Sequence, residues 1–260
     1  MTKIQAFILG LLQGITELLP ISSSAHLVLL PEISGWELQS TSFDIILHTG
    51  TLLALIIYFR KDLSTIVTQF NNPTKNKLLI NLIITTIPAS IIGIVFKDLI
   101  DEHFKSITII VVMLITIGAV LLFIAPLSQN NKKIIAKLTY RNALLIGILQ
   151  VLSFLRGTSR SGITIIGGIT SGLDLKNSIK YAFLAGIPII AASSLYQLFD
   201  FISNGLGNID LLNLFIGLIT SFISSFLAIK FIFTFFKNNR FILFGIYRII
   251  LGILIIFLLL

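Results

Sequence analysis

The sequence has no cysteine, which excludes disulfides and thiol chemistry. It is also poor in charge. Asp, Glu, Lys and Arg make up 12% of 260 residues, hydrophobic residues make up 55%, and mean hydropathy is +1.01. A soluble domain needs roughly twice that charge to cover its surface, so the soluble globular class is set aside. No small-residue cleavage site follows the opening apolar stretch, so a removable signal peptide is not expected. The net charge of +8 invites a nucleic-acid reading. That reading is set aside too, because the basic residues fall in short loops between apolar runs, as in membrane proteins.

What is present is length in the apolar runs. A helix needs about 20 apolar residues to cross a bilayer core. Segments 43–59 (short by itself), 78–96, 107–126, 181–202, 211–235 and 241–260 meet that need, giving six spans. The loop 60–77 carries Arg60, Lys61, Lys75 and Lys77, and the loop 127–142 carries Lys132, Lys133, Lys137 and Arg141. Lys176 and Lys180 precede the span at 181, and Lys237 and Arg240 precede the last. The loops 97–106 and 203–210 are poorer in net positive charge. The excess of Lys and Arg marks the cytoplasmic side, which places both termini and 203–210 outside.

Two apolar stretches remain, 4–31 and 143–173, each broken in its middle by polar residues. Residues 4–19 would make about 24 Å of helix at 1.5 Å per residue, too short to cross, and Pro20 then stops the helix. The loop charges return each stretch to the side it entered from. Both are therefore expected to be re-entrant helical hairpins.

A shift of 137 residues lays Gly10-Leu11-Leu12-Gln13 on Gly147-Ile148-Leu149-Gln150, and Ser22-Ser23-Ser24-Ala25 on Ser159-Arg160-Ser161-Gly162. Pro20 meets Gly157. Three spans follow each hairpin, and three is odd, so the second unit enters the membrane upside down. The expected architecture is an all-α polytopic membrane protein: a single membrane domain, 1–260, of six transmembrane helices and two re-entrant hairpins. It forms an inverted-topology repeat, with unit one at about 1–127 and unit two at about 138–260. Such folds place their site where discontinuous helices meet near the midplane.

The broken tips suit a phosphate. Non-helical backbone at membrane depth survives only when buried in protein or lining a wet cavity. A half-helix starting at Ser22-Ser23-Ser24 offers free N–H groups and a positive dipole end to an anion. Gly157-Thr158-Ser159-Arg160-Ser161-Gly162 does the same, with Thr164 one turn on, and Arg160 adds a fork of donors that fits phosphate oxygens. Glu17 and Gln13 lie four apart on one helix face. A carboxylate in an apolar hairpin is costly and usually functional. With phosphate present, Glu17 and the Gln13 amide oxygen are a candidate pair for Mg²⁺ or another divalent cation such as Ca²⁺. His26, three residues from Ser23, is a candidate acid or base.

Each group also has a plainer role. Ser24, Ser161 and Thr164 suit hydrogen bonds between helices. Glu17 and Arg160 suit a structural ion pair, and Arg156 a local loop charge. Asp44, His48, Lys230 and Arg248 read as packing or interfacial residues, and His103 as solvated.

At these residues the sequence resembles the undecaprenyl-diphosphate phosphatase family of the bacitracin-resistance type. The first motif is Gln13-Gly-Ile-Thr-Glu17-Leu-Leu-Pro20-Ile-Ser22-Ser23-Ser24-Ala25-His26. The second is Arg156-Gly157-Thr158-Ser159-Arg160-Ser161-Gly162-Ile163-Thr164. Arg156 stands where the family has proline, and Ala25 where glycine is common. The resemblance implies hydrolysis of undecaprenyl diphosphate to the monophosphate, recycling the carrier lipid for peptidoglycan and cell-wall synthesis in a bacterial plasma membrane. It implies an essential set of Glu17, Ser23, His26 and Arg160 with divalent-metal dependence. The expected partners are a polyprenyl diphosphate lipid and the bilayer, with a homodimer as a further candidate.

The rival class is a lipid flippase or anion transporter, which would use the same inverted repeat. Transport needs binding groups alone, whereas Glu17 with His26 supplies proton transfer as well. A second rival, the other common membrane lipid-phosphatase family, needs a histidine after its Ser-Arg. None follows Arg160 here.

Overall fold

The structure is a computed structural model, and it describes residues 1–70, 76–104, 106–204, 210–235 and 241–259. Among these, the regular structure is helical: α1 Lys3–Leu18, α2 Ser23–Ser34, α3 Thr41–Tyr58, α4 Arg60–Thr68, α5 Lys77–Val95, α6 Lys97–His103, α7 Ile107–Asn130, α8 Tyr140–Val151, α9 Arg160–Thr170, α10 Leu175–Asn204, α11 Leu211–Phe235 and α12 Ile242–Leu259. Five helices are long and apolar enough to cross a membrane: α5, α7, α10, α11 and α12. A sixth candidate is α3 taken together with the short α4, into which it turns by 71°. Large side chains such as Phe123 (79% exposed) and Phe257 (83%) stand on the outer surface. Water would not tolerate so many, and lipid does. This is a multi-pass membrane protein.

The two broken stretches have the expected form. α1 ends at Leu18, just before Pro20, and α2 restarts at Ser23. α8 runs into a single 3₁₀ turn, Leu152–Phe154, and α9 restarts at Arg160. Both first halves open on the same device. Thr2 and Thr139, 137 apart, each cap a helix N-terminus in a reciprocal capping box with Gln5 and Asn142. Such a box satisfies two otherwise free backbone donors.

The packing follows the same shift. α1 packs on α11 and α8 on α5; α3 packs on both α11 and α10, and α10 in turn on α5. Small polar residues hold these seams, as expected where lipid removes the hydrophobic drive between helices. Ser221 Oγ donates to the Leu47 carbonyl at 2.7 Å, and Ser225 Oγ to Thr51 Oγ1 at 2.9 Å. Thr85 Oγ1 donates to the Ala143 carbonyl at 3.0 Å. A ring cluster of Tyr58, Phe59, Phe183 and Phe233 joins α3, α10 and α11.

Polar contacts gather the chain into two ends. At one, Lys180 Nζ pairs with Asp62 at 2.5 Å. Lys133 Nζ reaches the Ser171 carbonyl, and Asn131 Nδ2 the Leu173 carbonyl, so the second hairpin returns to the end it left. At the other, Asn213 Nδ2 donates to the Met1 carbonyl, and Met1, Trp36 and Asp210 line one cleft. The loop tip of 203–210, together with Lys75, Lys237 and Arg240, lies outside the described residues.

Candidate active site

Both tips turn on one unusual residue. Ser22 has φ 73° and ψ 94°, and Ser159 has φ 70° and ψ 109°. They are the only non-glycine residues of positive φ among the described residues. A side chain there costs of order 1–3 kcal/mol and persists only where the surroundings hold it. Each serine also caps the helix it starts: Ser22 Oγ accepts from Ala25 N, and Ser159 Oγ from Gly162 N. The residue that opens each new helix, Ser23 or Arg160, is thereby aimed at Glu17, Ser23 from its own hairpin and Arg160 from the other.

The two meet on Glu17. Arg160 Nη2 donates to Glu17 Oε1 at 2.8 Å, and Ser23 Oγ donates to Glu17 Oε2 at 2.5 Å. Gln13 Nε2 approaches Oε2 at 3.4 Å. A carboxylate this buried (8% exposed) would be expensive alone, and these donors offset the cost. Charge-assisted bonds from a guanidinium and a hydroxyl are the strong kind. A cleft of about 320 Å³ opens on this cluster. Glu17, Ser23, Ser24, His48, Ser159 and Arg160 line its polar end, and Ala89, Ile94, Phe154, Ile189 and Ile190 its apolar walls.

Glycine clears the way for Arg160. A Cβ on Gly186 of α10 would lie 1.9 Å from Arg160 Nη1. Gly157 has φ 95°, and a Cβ there would lie 2.5 Å from the Ile110 carbonyl; it is the residue that lets the second tip press on α7.

The structure distributes the expected phosphate-binding residues unevenly. Ser24 and Ser159 reach the cleft. Ser22 is buried in its capping role. Ser161 Oγ donates to the carbonyls of Glu17 and Leu19, tying one tip to the other. Thr164 Oγ1 donates to the Arg160 carbonyl one turn back. Thr158 is buried with its hydroxyl unpartnered, and the Gly157 carbonyl accepts from Arg248. These residues build the tips and do not line the cleft.

His26 is not beside Ser23 Oγ as a base. Its Nδ1 donates to the Ser22 carbonyl at 2.7 Å, and its Nε2 accepts from the Tyr247 hydroxyl at 2.6 Å. The rings of His26 and Tyr247 stack at 4°. A neutral His26 so bonded has no lone pair left for Ser23. The hydroxyl's acceptor is Glu17.

Two residues read as packing or interfacial from sequence do more. Arg248 is fully buried on α12. Its guanidinium donates to the carbonyls of Pro20 (3.1 Å), Gly157 (2.6 Å) and Met113 (3.2 Å). Pro20 and Gly157 are the residues that the 137-residue shift superposes, so one side chain clasps both tips at corresponding points. His48 of α3 also stands at the cluster, with Nδ1 3.9 Å from Glu17 Oε2. Intramembrane ionisable residues deserve a functional reading by default, and that was the available signal for both. Asp44 and Lys230 stay peripheral: Asp44 accepts from Gln39, and Lys230 lies over the Phe226 ring.

Among the described residues no cluster of three or more His, Cys, Asp or Glu gathers at metal-binding distance. The donors expected to hold a divalent cation do lie together. Glu17 is flanked by Gln13, whose side chain is fully buried and whose Oε1 has no hydrogen-bond partner. A half-turn of the Gln13 amide would set that oxygen in place of Nε2 beside the carboxylate, a pair that fits an oxygen-preferring cation.

Comparison with known proteins agrees with the resemblance. The family described as bacitracin resistance protein BacA matches residues 6–254. Undecaprenyl-diphosphatase 1 of Pseudoalteromonas translucida is 38% identical over 99% of both chains. Undecaprenyl-diphosphatases of Thermodesulfovibrio yellowstonii (41%, over 96% of this chain and 95% of the relative) and Elusimicrobium minutum (40%, over 98% of both) are similar. With a full-length match and a two-tipped site that carries both motifs, the chain belongs to the BacA bacitracin resistance family.

Proposed function

We propose that the protein hydrolyses undecaprenyl diphosphate to undecaprenyl phosphate and inorganic phosphate in a bacterial plasma membrane, recycling the carrier lipid for cell-wall synthesis and conferring bacitracin resistance. One observation carries the reading: Ser23 Oγ donates to Glu17 Oε2 at 2.5 Å while Arg160 holds the other carboxylate oxygen. That is a nucleophile, its base and an orienting cation in one cluster, the arrangement acyl- and phosphoryl-transfer sites need. The apolar cleft walls on α5 and α10 suit a prenyl chain running out between spans.

The chemistry assigned to these residues is in-line displacement. Ser23 Oγ attacks the terminal phosphorus and its proton passes to Glu17 Oε2. The bond to the bridging oxygen breaks, and undecaprenyl phosphate leaves. Glu17 passes its proton to the departing undecaprenyl phosphate and is again a carboxylate. It then takes a proton from the water that attacks the phosphoserine and returns it to Ser23 Oγ as the P–O bond breaks and phosphate is released. Arg160 stabilises charge that develops on the equatorial oxygens. A bound divalent cation, held by Glu17 and Gln13, would neutralise phosphate charge. Phosphate release from purified protein, with and without Mg²⁺, tests the reading; binding of the lipid with no release would favour a transporter. Single-turnover reaction of a chiral phosphoryl group in ¹⁸O-water tests the serine route. Two displacements give retention, and inversion would eliminate it.

For orientation we propose that the end bearing Met1 and Asp210 faces outside and the end bearing Asp62, Lys133 and Lys180 faces the cytoplasm. A compartment-specific reporter fused after Leu260 should report an external C-terminus, and a cytoplasmic signal would overturn this orientation.

A further inference from the structure

We infer that His48 is a third protein donor to the divalent cation at Glu17 and Gln13, an inference that rests on the metal reading above. Gln13 Nε2 lies 3.0 Å from His48 Nδ1. Nδ1 is therefore the ring nitrogen that faces Gln13 and Glu17. The three side chains are mutually close: 3.0 Å from His48 Nδ1 to Gln13 Nε2, 3.4 Å from Nε2 to Glu17 Oε2, and 3.9 Å from His48 Nδ1 to Glu17 Oε2. Ligands about 2.1 Å from one octahedral ion sit about 3–4 Å apart, the separation seen here. A half-turn of the Gln13 amide exchanges Oε1 for Nε2 and puts the orphaned carbonyl oxygen into this triangle. With the imidazole proton on Nε2, a carboxylate oxygen, a carbonyl oxygen and the Nδ1 lone pair then face one point, the donor set of an oxygen- and nitrogen-ligated divalent cation.

His48 is placed for this role rather than for packing. It stands midway along α3, its side chain is 33% exposed, and that exposure is to the cleft holding Ser23 and Arg160. The open side leaves room on the ion for phosphate oxygens, as a catalytic site requires. The other two histidines do not compete. His26 is bonded at both ring nitrogens, and His103 is an exposed residue of α6 beside Glu102. An imidazole in the donor set also predicts a metal preference, because nitrogen donors favour Mn²⁺ and later transition ions over Ca²⁺.

The test is Mn²⁺ binding to the purified full-length chain, followed by electron paramagnetic resonance with spin-echo detection of nitrogen. Wild-type protein should show a directly bound imidazole nitrogen whose frequency changes when histidine is ¹⁵N-labelled. His26→Gln should keep that signal. His48→Gln should lose it and weaken Mn²⁺ binding at least about tenfold, with Ca²⁺ binding weakened less. The labelled wild-type spectrum stands even if the variant fails to fold. Mn²⁺ binding that Glu17→Gln abolishes but that shows no histidine nitrogen would overturn the role of His48 and leave the metal reading intact. Absence of any Glu17-dependent Mn²⁺ binding would overturn both.

Discussion

At Ser22 and Ser159 the chain makes the same strained turn, and each serine caps the helix that follows; yet the next residue is Ser23 in one tip and Arg160 in the other. The shift of 137 residues extends to Gln13 and Gln150, both fully buried, and fails at Glu17, which falls on Phe154. The first tip thus carries the carboxylate and the hydroxyl, and the second carries the cation and an apolar wall of the cleft. We propose that a duplicated, inverted scaffold supplied two equivalent helix starts, and that catalysis arose where their first residues diverged. The backbone was kept because it aims both first residues at one point.

The largest effect should come from the first tip. Ser23→Ala is expected to lower phosphate release about a thousandfold, roughly 4 kcal/mol, with stability within about 1 kcal/mol of wild type. Glu17→Gln should be as damaging to turnover and should also cost about 3 kcal/mol of stability, because it leaves Arg160 without its carboxylate. Phosphate release paired with thermal unfolding in detergent separates the two. Substantial turnover in Ser23→Ala would show that Ser23 only binds phosphate and that water attacks directly.

Arg248 should matter next, since it belongs to neither tip and holds both. Arg248→Met strands the carbonyls of Pro20 and Gly157, at about 1–3 kcal/mol for each buried group left unpaired. We expect about a hundredfold loss of turnover with a lowered unfolding temperature. Arg248→Lys can reach one or two of three carbonyls and should recover part of both. Turnover unaffected by Arg248→Met would mean the tips hold each other without the clasp.

Arg160→Lys keeps the charge of the second tip and loses the planar fork. The expected loss is at least tenfold in catalytic efficiency, about 1.4 kcal/mol. Near-normal kcat/KM would show that the second tip contributes charge alone.

Much of this was legible in the sequence for a physical reason. Spans, half-helix lengths, Pro20 and the 137-residue shift are properties of local sequence, and bilayer thickness converts them directly into architecture. Glu17, Ser23 and Arg160 stood out as candidates because charge and hydroxyl clusters are rare in such a chain, and the structure brings their side chains together. The misread residues depend on azimuth between distant helices, which local pattern does not carry. Spacing put His26 one turn from Ser23, but its ring faces Tyr247 on α12. Arg248 looked interfacial near the end of the chain, and its targets are three carbonyls 228, 135 and 91 residues away. Ser161 and Thr164 looked like phosphate ligands; the Ser161 hydroxyl bonds the backbone of the other tip, and the Thr164 hydroxyl bonds the carbonyl one turn back in its own helix.

The smallest effect tests whether the two turns are equivalent. Ser22 and Ser159 combine a benefit and a penalty: each Oγ caps a helix, and each backbone sits at φ near 70°. Glycine removes the penalty at little loss, since glycine at a helix start costs only a few tenths of a kcal/mol relative to serine and takes positive φ freely. Alanine keeps the strain and discards the cap, at about 1 kcal/mol. Ser22→Gly and Ser159→Gly should therefore leave stability within about 1 kcal/mol of wild type, and Ser22→Ala and Ser159→Ala should each lower it by about 1–2 kcal/mol. The decisive feature is the match between tips, read from unfolding midpoints of the four variants in one detergent. A first tip that tolerates alanine while the second does not would mean that the two serines are held by different surroundings. The shared dihedrals would then be a coincidence of sequence, and the duplicated-scaffold account would lose its best local support.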